Sequence, residues 1–375
     1  MKLSVLQENL AKGLTVASRS VASRVQLPVL SNILLATDQG RLKLSATNLE
    51  TGINYWLGAK VEKEGTISVP AKVFTEFVTS LPTEKVKLET KENNLFVRCG
   101  NYQAEFNSLA ATEFPNIPSI KGRPDISFAA SGLVGAINQV AFAAAQDEGR
   151  PVLTGVLLII KGKELILVAT DGYRLSLKKL PTTKGIVESK ELRKGLIIPS
   201  RTLMELARIM SEVSQEKNIG LTITKKANQA IFSAPESEII SRLIEGQYPD
   251  FEKIIPDKGK TSLTVDLVEL TRAVKVAAIF AREAANIVRF SIDQKGLEIT
   301  ANTAQVGRNK IRLEAKVKGN GRKIAFNSRY LLDLLGVAEA KEINLEITGP
   351  LNPGLFTLTG DKSYLHIIMP VRVQE

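Results

Sequence analysis

The repeats of this sequence are organised around the stretch Leu165-Ile-Leu-Val-Ala-Thr-Asp-Gly-Tyr-Arg-Leu-Ser176. Its apolar residues lead into an Asp-Gly pair, a pattern typical of a β-strand that enters a tight turn. An earlier stretch, Leu42-Lys-Leu-Ser-Ala-Thr-Asn-Leu-Glu50, repeats the pattern with Ala-Thr-Asn in place of Ala-Thr-Asp. A weaker copy, Leu297-Glu-Ile-Thr-Ala-Asn302, lies about as far downstream. The sequence therefore predicts three copies of one structural unit.

A second repeated motif supports the same division. Its copies are Val69-Pro-Ala-Lys-Val-Phe-Thr-Glu-Phe-Val78, Ile198-Pro-Ser-Arg-Thr-Leu-Met-Glu-Leu-Ala207 and Phe326-Asn-Ser-Arg-Tyr-Leu-Leu-Asp-Leu-Leu335. Each copy is interpreted as a strand end followed by an amphipathic helix, because its apolar residues recur at helical spacing.

The remaining pattern gives a fold class. Helix-like segments at 7–21, 131–145 and 266–282 open the three units, and the runs Pro28-Val-Leu30 and Pro151-Val-Leu153 predict apolar strands after the first two. Short alternating runs then predict many strands, so helices must cover one face of an antiparallel sheet. We predict an α+β protein of three repeated domains, 1–121, 125–255 and 261–375, each with two helices packed on antiparallel β-sheet.

Composition narrows the function. A chain of 375 residues with 44% hydrophobic and 24% charged residues is long enough for two or three globular domains, and it contains no apolar run that spans a membrane. The single cysteine, Cys99, fits the reducing cytoplasm. The single histidine, His366, argues against zinc sites and histidine catalysis. A net charge of +11 favours a polyanionic partner such as nucleic acid, although a basic solvated surface is the alternative.

Cations recur in phase with the repeats. Lys72, Arg201 and Arg329 occupy the same place in the first turn of the three motif helices. A cation there opposes the helix dipole at a cost of about 0.3–1 kcal/mol, so local stability does not explain the placement. A surface that binds DNA phosphates explains it, and solvated charge on exposed helix faces is the alternative.

Four motifs together resemble one family. They are Arg150-Pro-Val-Leu-Thr-Gly155, Val168-Ala-Thr-Asp-Gly-Tyr-Arg-Leu175, Gly246-Gln-Tyr-Pro-Asp-Phe251 and Ile368-Met-Pro-Val-Arg372. With the triple repeat, they make the whole chain resemble the β sliding clamps, the processivity factors of bacterial replicative DNA polymerases (DNA polymerase III subunit beta).

The resemblance implies a function. Two chains would close head to tail into a homodimeric ring, each forming half of it, around double-stranded DNA without sequence preference. The ring would tether the polymerase and recruit the clamp loader and repair proteins through short apolar peptide motifs. The protein would lie in the cytoplasm with the nucleoid, would not be an enzyme, and would need no cofactor or metal.

The resemblance also implies site residues. A peptide groove between the second and third domains would use Leu153, Thr170, Gly172, Tyr173, Arg174, Leu175, Pro249, Lys253, Ile254, Leu351, Met369, Pro370, Val371 and Arg372. Arg174 and Arg372 are expected to hold polar groups of the peptide at the rim, whereas Leu153, Leu175 and Met369 are the members for which an ordinary core role is the alternative. Tyr173 stands where clamps often have histidine, and Lys253 where arginine is common.

Further residues follow for DNA and for the dimer. The family pattern assigns DNA contact to Arg24 and Gln146, besides Lys72, Arg201 and Arg329. Ile279 and Phe280 resemble the apolar dimer contact, with an ordinary core role as the alternative.

Other interpretations of the sequence remain open at this point. The chain lacks a G-x-x-x-x-G-K-[ST] loop for nucleotide phosphates. The competing hypothesis is a hydrolase or nucleotide-dependent enzyme built on repeated α+β domains, with Asp171 as a general acid. A repeat-built binding scaffold without a DNA role is the third. The Asp-Gly turn explains Asp171 without catalysis.

Overall fold

The computed structural model describes residues 1–22, 27–120, 122–181, 190–213, 218–224, 228–256, 259–303 and 307–372. Seven α-helices lie in this part of the chain: α1 (Gln7–Ser18), α2 (Ala71–Thr79), α3 (Ala130–Val140), α4 (Lys190–Lys194), α5 (Ser200–Val213), α6 (Leu267–Ala281) and α7 (Ser328–Val337).

The strands of the first half are β1 (Lys2–Leu6), β2 (Asn32–Asp38), β3 (Arg41–Thr47), β4 (Thr51–Gly58), β5 (Lys60–Lys63), β6 (Thr66–Pro70), β7 (Lys85–Lys91), β8 (Asn94–Cys99), β9 (Tyr102–Asn107), β10 (Ile126–Ala129), β11 (Gly155–Lys161), β12 (Glu164–Thr170) and β13 (Arg174–Pro181). Those of the second half are β14 (Leu196–Pro199), β15 (Asn218–Thr224), β16 (Gln229–Ala234), β17 (Ser237–Arg242), β18 (Thr261–Asp266), β19 (Ile287–Asp293), β20 (Gly296–Thr303), β21 (Gly307–Leu313), β22 (Lys316–Lys318), β23 (Arg322–Asn327), β24 (Glu342–Ile347), β25 (Gly354–Leu358) and β26 (Asp361–Ile368).

The predicted α+β class is confirmed. The three opening helices are α1, α3 and α6, and the three motif helices are α2, α5 and α7. The sequence missed α4, a single short helix before β14.

Two predicted strand starts are wrong. Pro28–Ser31 and Pro151–Thr154 are single 3-10 turns that precede β2 and β11. Proline stands at the first position of each turn, where its fixed φ suits a helical start and its missing N–H leaves no bond unmade. Val29, Leu30 and Leu153, which suggested strands, are buried in these turns instead.

The chain divides into two compact units, and the first comprises the described residues of 1–131 and 208–243. It holds a five-stranded sheet in the order β5-β1-β7-β8-β9 and an eight-stranded sheet in the order β10-β15-β16-β17-β4-β3-β2-β6. Helix α1 lies close against β3 and β4, because Gly13 leaves room: a Cβ there would lie 2.9 Å from Leu44 Cδ1.

The second unit comprises the described residues of 132–182, 190–207 and 244–375. It holds a nine-stranded sheet in the order β14-β11-β12-β13-β26-β25-β24-β18-β22 and a four-stranded sheet in the order β21-β20-β19-β23. Helix α6 packs on the four-stranded sheet and on α7, around a core that includes Phe290, Phe326 and Phe356.

Both large sheets combine strands from different predicted domains. In the first unit, β4 pairs with β17, so Asn54 lies opposite Glu238. In the second unit, β13 pairs with β26, so Leu177 lies opposite Leu365. We call these pairings the first junction and the second junction. The division at 1–121, 125–255 and 261–375 stays a prediction.

Candidate functional site

The site is built around the turn that follows strand β12. Thr170 Oγ1 donates to the carbonyl oxygen of Arg174 (2.6 Å) and accepts from the amide of Gly172 (3.1 Å). Asp171 Oδ1 accepts from the amides of Tyr173 (2.8 Å) and Arg174 (3.0 Å). Gly172 has a φ of +92°, which glycine adopts without steric cost. Two side chains therefore fix the whole turn.

The first repeat contains the same turn. Thr47 Oγ1 donates to the carbonyl of Thr51 (3.0 Å) and accepts from the amide of Leu49 (3.0 Å). Asn48 Oδ1 accepts from the amides of Glu50 (3.0 Å) and Thr51 (2.7 Å). The repeated Thr-Asn and Thr-Asp pairs are thus explained by turn geometry, which also accounts for Asp171 without catalysis.

Arg174, which the sequence predicts to hold polar groups of a bound peptide, makes its observed contacts inside the protein. Its side chain is only 8% exposed. Its Nε donates to Asp171 Oδ2 (3.1 Å), its Nη1 pairs with Asp333 on α7, and its Nη2 donates to the carbonyl of Phe142 (2.9 Å). The guanidinium also lies 5.4 Å from the ring centre of Phe142 and 4.6 Å from that of Tyr330. Arg174 therefore positions the turn by contacts inside the protein.

The second junction brings the end of the chain to this turn. Arg174 pairs with Ile368 and Leu175 with Ile367. The amide of Met369 donates to the carbonyl of Tyr173 (2.8 Å). Met369 is 37% exposed and Tyr173 is 59% exposed. The large side chains of these two hydrogen-bonded residues therefore stay accessible to solvent.

Below them lies an apolar layer. Its buried members are Leu157, Ile166, Val168, Leu175, Leu177, Ile197, Phe251 and Ile367. Leu153 and Leu175 are buried, at 8% and 1% exposure, as their core alternative expects. Tyr248, which the sequence did not single out, packs on this layer, and its hydroxyl donates to the carbonyl of Val168 (3.4 Å). Burial raises the pKa of that hydroxyl.

The other predicted groove residues lie on three connecting segments. Pro249 and Lys253 are exposed, and Lys253 forms an ion pair with Asp250 (3.0 Å). Ile254 ends the 3-10 turn Phe251–Ile254, and Leu351 lies exposed in the loop before β25. Beyond Met369, the chain continues through Pro370, Val371 and the exposed Arg372. The amide of Val371 donates to the carbonyl of Ala325 (2.8 Å), which fixes this segment beside β23.

His366 is fully buried on the opposite face of β26 from Ile367. Its Nδ1 shares a hydrogen bond with Ser176 Oγ, and its ring stacks on Phe142 at 5.5 Å. Burial, together with the charge of Arg174, lowers the pKa of His366 to about 3. The imidazole is therefore neutral at physiological pH. Among the described residues, no group of three or more histidine, cysteine or acidic side chains has the geometry to hold a metal ion.

The predicted DNA-contacting cations are accessible. Lys72, Arg201 and Arg329 are each the second residue of their helix and are exposed. None of the three has an ion-pair partner within the part of the chain that the structure describes. Gln146 is exposed in the segment after α3, and Arg24 lies outside the described residues.

The two predicted dimer residues differ in exposure. Ile279 is 55% exposed near the end of α6, whereas Phe280 is half-buried against the core beneath the four-stranded sheet. None of the described helices is long and apolar enough to cross a membrane.

Comparison with known proteins identifies the family. Models of the DNA polymerase III beta subunit match residues 1–118 (N-terminal domain), 128–250 (central domain) and 252–372 (C-terminal domain). The chain belongs to the β sliding clamp family. Its members are non-catalytic processivity factors in DNA replication, so this chain is a sliding clamp rather than an enzyme.

Individual relatives cover the full chain. The beta sliding clamp of Synechococcus elongatus is 30% identical, with 100% of both chains covered. The crystal structure of the Bacillus subtilis DNA polymerase sliding clamp has a TM-score of 0.93 at 28% identity and full coverage of both chains. A β sliding clamp of C. crescentus, with a TM-score of 0.90 at 28% identity and full coverage of both, holds polyethylene glycol in a region described as tethering the beta-motif.

Proposed function

We propose that two copies of this chain close head to tail around duplex DNA through the edge strands β9 and β21. In the first junction, the strand after the turn of the first repeat (β4) pairs with the last strand of the middle repeat (β17). In the second junction, the strand after the turn of the middle repeat (β13) pairs in the same way with the last strand of the third repeat (β26). The next pair in the series is β21 with β9, and both are edge strands. A second copy supplies each missing partner.

Ile279 and Phe280 are proposed as the apolar part of this contact. Helix α6, which carries them, packs against β21. An exposed isoleucine beside an unpaired strand edge supplies apolar area that backbone hydrogen bonds alone lack.

We also propose that the second junction binds short apolar peptides of the polymerase, the loader and repair proteins. The single observation that carries this is the bond between Met369 and Tyr173, which keeps two exposed apolar side chains together above the buried layer. Methionine adapts its shape to varied partners. Leu153, Thr170, Gly172, Arg174 and Leu175 would shape the floor and turn, whereas Pro249, Lys253, Ile254, Leu351, Pro370, Val371 and Arg372 would form the walls and rim.

DNA contact is assigned to exposed side chains on the helices. Lys72, Arg201 and Arg329 sit at helix starts, where backbone amides add to the attraction of phosphates. Gln146 and Arg24 complete the proposed set. A protein with this role works in the cytoplasm, associated with the nucleoid.

The experiment that tests encirclement is retention on DNA of two topologies. After loading by a clamp loader, the protein should stay on closed circular DNA and slide off linear DNA. Equal loss from both forms would overturn the ring. Replacing Lys72, Arg201 and Arg329 by alanine should lower the salt dependence of DNA binding, by about 0.9 in log–log slope for each phosphate that is no longer neutralised. An unchanged slope would remove these three from the DNA surface.

A further inference from the structure

The four-stranded sheet of the second unit carries a cationic face that the clamp function has not used. In β19, Val288, Phe290 and Ile292 face the core under α6, so the alternate residues face away from it. The same alternation in the neighbouring strands turns five cations to that side: Arg289, Arg308, Lys310, Arg312 and Lys323. We call this set the cationic sheet face. It lies opposite the face covered by α6.

Strand register defines the spacing of these charges. Arg289 lies opposite Thr300, which in turn lies opposite Lys310. Arg308, Lys310 and Arg312 are alternate residues of one strand, so their Cα atoms are about 6.5–7 Å apart. The charges therefore form rows across a surface about three strand spacings wide, which is about 14 Å.

Acidic residues neutralise only part of this face. Glu298 pairs with Lys310 (2.9 Å) and Arg312 (3.6 Å), and Asp293 accepts from Arg312 (2.6 Å). Within the described ranges, Arg289, Arg308 and Lys323 have no carboxylate within 4.0 Å. Three cations thus remain without an internal counterion, and Ser291, Thr300 and Asn302 lie between them.

The face lacks what a protein partner needs. Protein interfaces depend on buried aromatic or aliphatic anchors. The large exposed apolar side chains of the described chain lie elsewhere, and none belongs to β19, β20, β21 or β23. Phosphate contact requires only cations and hydrogen-bond donors, and it needs no aromatic residues when bases are not read.

We propose that the cationic sheet face binds the phosphate backbone of a nucleic-acid strand outside the proposed DNA-encircling contact. The binding is independent of base sequence. It also accounts for part of the net charge of +11, which the three helix cations leave unexplained. The proposal rests on the proposed function only in naming nucleic acid as the polyanion.

The test is fluorescence anisotropy of labelled circular single-stranded DNA, and separately of nicked circular duplex, with the intact dimer and no loader. Circles have no ends to thread through a closed ring. We expect the variant Arg289→Gln, Lys323→Gln to bind at least one of these DNAs about fivefold more weakly at low salt. Arg308 is kept unchanged, because β21 is the proposed dimer edge. The log–log salt slope of the variant should fall by about 1.4–1.8, as expected when two phosphates are no longer neutralised.

A matched control keeps the change in net charge constant. The variant Lys341→Gln, Lys362→Gln removes two exposed lysines from the nine-stranded sheet region, and it should bind as the unmodified protein does. Size-exclusion chromatography should show both variants as dimers. Retention on circular DNA after loading should be unchanged in both, which separates failure of this proposal from failure of the ring.

Three results would overturn the proposal. The first is equal binding of both DNAs by the two variants. The second is loss of unthreaded binding only when Lys72, Arg201 and Arg329 are replaced. The third is that the cationic-face variant binds both DNAs as well as the control does, but binds anionic phospholipid vesicles or polyglutamate more weakly than the control does.

Discussion

The two junctions share one backbone plan but differ in what covers them. In the first junction, Asn54 and Glu238 face each other across the strand pair, and both are buried. Glu238 Oε1 accepts from Ser119 Oγ (3.0 Å) and from the amide of Ile120 (3.0 Å). Asn54 Nδ2 donates to the carbonyl of Pro118 (3.2 Å). The polar pair thereby fastens the chain's own following segment over the junction.

The corresponding pair in the second junction is apolar. Leu177 faces Leu365 and joins the buried layer with Phe251. The segment that follows Phe251 is held elsewhere: the exposed Glu252 pairs with Lys161 on β11, and the exposed Lys253 pairs with Asp250. The buried polar pair of the first junction therefore holds the following segment over it, whereas the apolar pair of the second junction offers that segment no hydrogen-bond partner. We call the first junction closed and the second junction open.

The largest expected effect comes from moving the polar residue of the first junction into the second. Leu177→Asn should lower the free energy of unfolding by about 3–4 kcal/mol, because it removes buried apolar area and leaves an amide without partners. Urea denaturation measures the loss. Lys179→Asn, on the same strand but more exposed, should cost less than about 0.5 kcal/mol. A loss below about 1 kcal/mol for Leu177→Asn would show that this row is not a tight core.

The reciprocal change opens the first junction. Glu238→Ala should cost about 2–3 kcal/mol, since it removes the acceptor of two linker groups and of Asn54 Nδ2 (3.2 Å). The exposed Glu236→Ala is the matched control and should be nearly neutral. Peptide affinity at the second junction should stay the same in both. A neutral Glu238→Ala would mean that the linker is held by packing alone.

In the first junction, the residue that corresponds to Arg174 is Thr51, which carries no charge. Arg174→Lys should weaken binding of a Gln-Leu-x-Leu-Phe-type peptide about tenfold, or about 1.4 kcal/mol, because lysine lacks the planar fork that joins Asp171, Asp333 and Phe142. Arg312→Lys, on the four-stranded sheet, should leave the dissociation constant unchanged. Unaltered affinity in Arg174→Lys would contradict its positioning role.

His366 makes the second junction sensitive to acid. Its pKa is held at about 3 in the folded protein and lies near 6.5 when unfolded, so between these values the unfolded state binds one more proton. Stability should therefore fall as pH drops below about 6.5, by up to about 1.4 kcal/mol per pH unit from this group. Urea curves between pH 7.5 and 5.5 for the protein and for His366→Gln test it. The variant should lose less stability on acidification, and parallel curves would refute the assignment.

The smallest effect concerns the two turns. The left-handed position is Gly172 (φ +92°) in the second junction and Leu49 (φ +74°) in the first. Because Leu49 is largely exposed, Leu49→Gly should stabilise the protein by about 0.5–1 kcal/mol through relief of backbone strain. Gly172→Leu should destabilise it by more than 1 kcal/mol, roughly. Thermal unfolding measures both, and a destabilising Leu49→Gly would show that leucine packing outweighs the strain.

Periodicity and repeats were sufficient to predict six of the seven described helices, the α+β class and the turn at Asp171, because these are encoded by neighbouring residues. Strand partners across the predicted domain limits were not predictable, since β4 and β17 are distant in sequence. For the same reason Asp333 and Tyr330 were missed as partners of Arg174, and its long polar side chain suggested a rim instead. Asn54 and Glu238 gave no sequence signal, because each is a polar residue in a largely buried strand and its partner lies far away in the sequence.

The stoichiometry of peptide binding, measured by isothermal titration calorimetry, shows whether the second junction alone binds a peptide. The Gln-Leu-x-Leu-Phe-type peptide should bind once per chain to the unmodified protein. Met369→Ala should weaken it at least about fivefold with little loss of stability, because this side chain is exposed, and Leu49→Ala should leave it unchanged. Two peptides per chain, or a loss of binding in Leu49→Ala rather than in Met369→Ala, would contradict the claim that only the second junction is open.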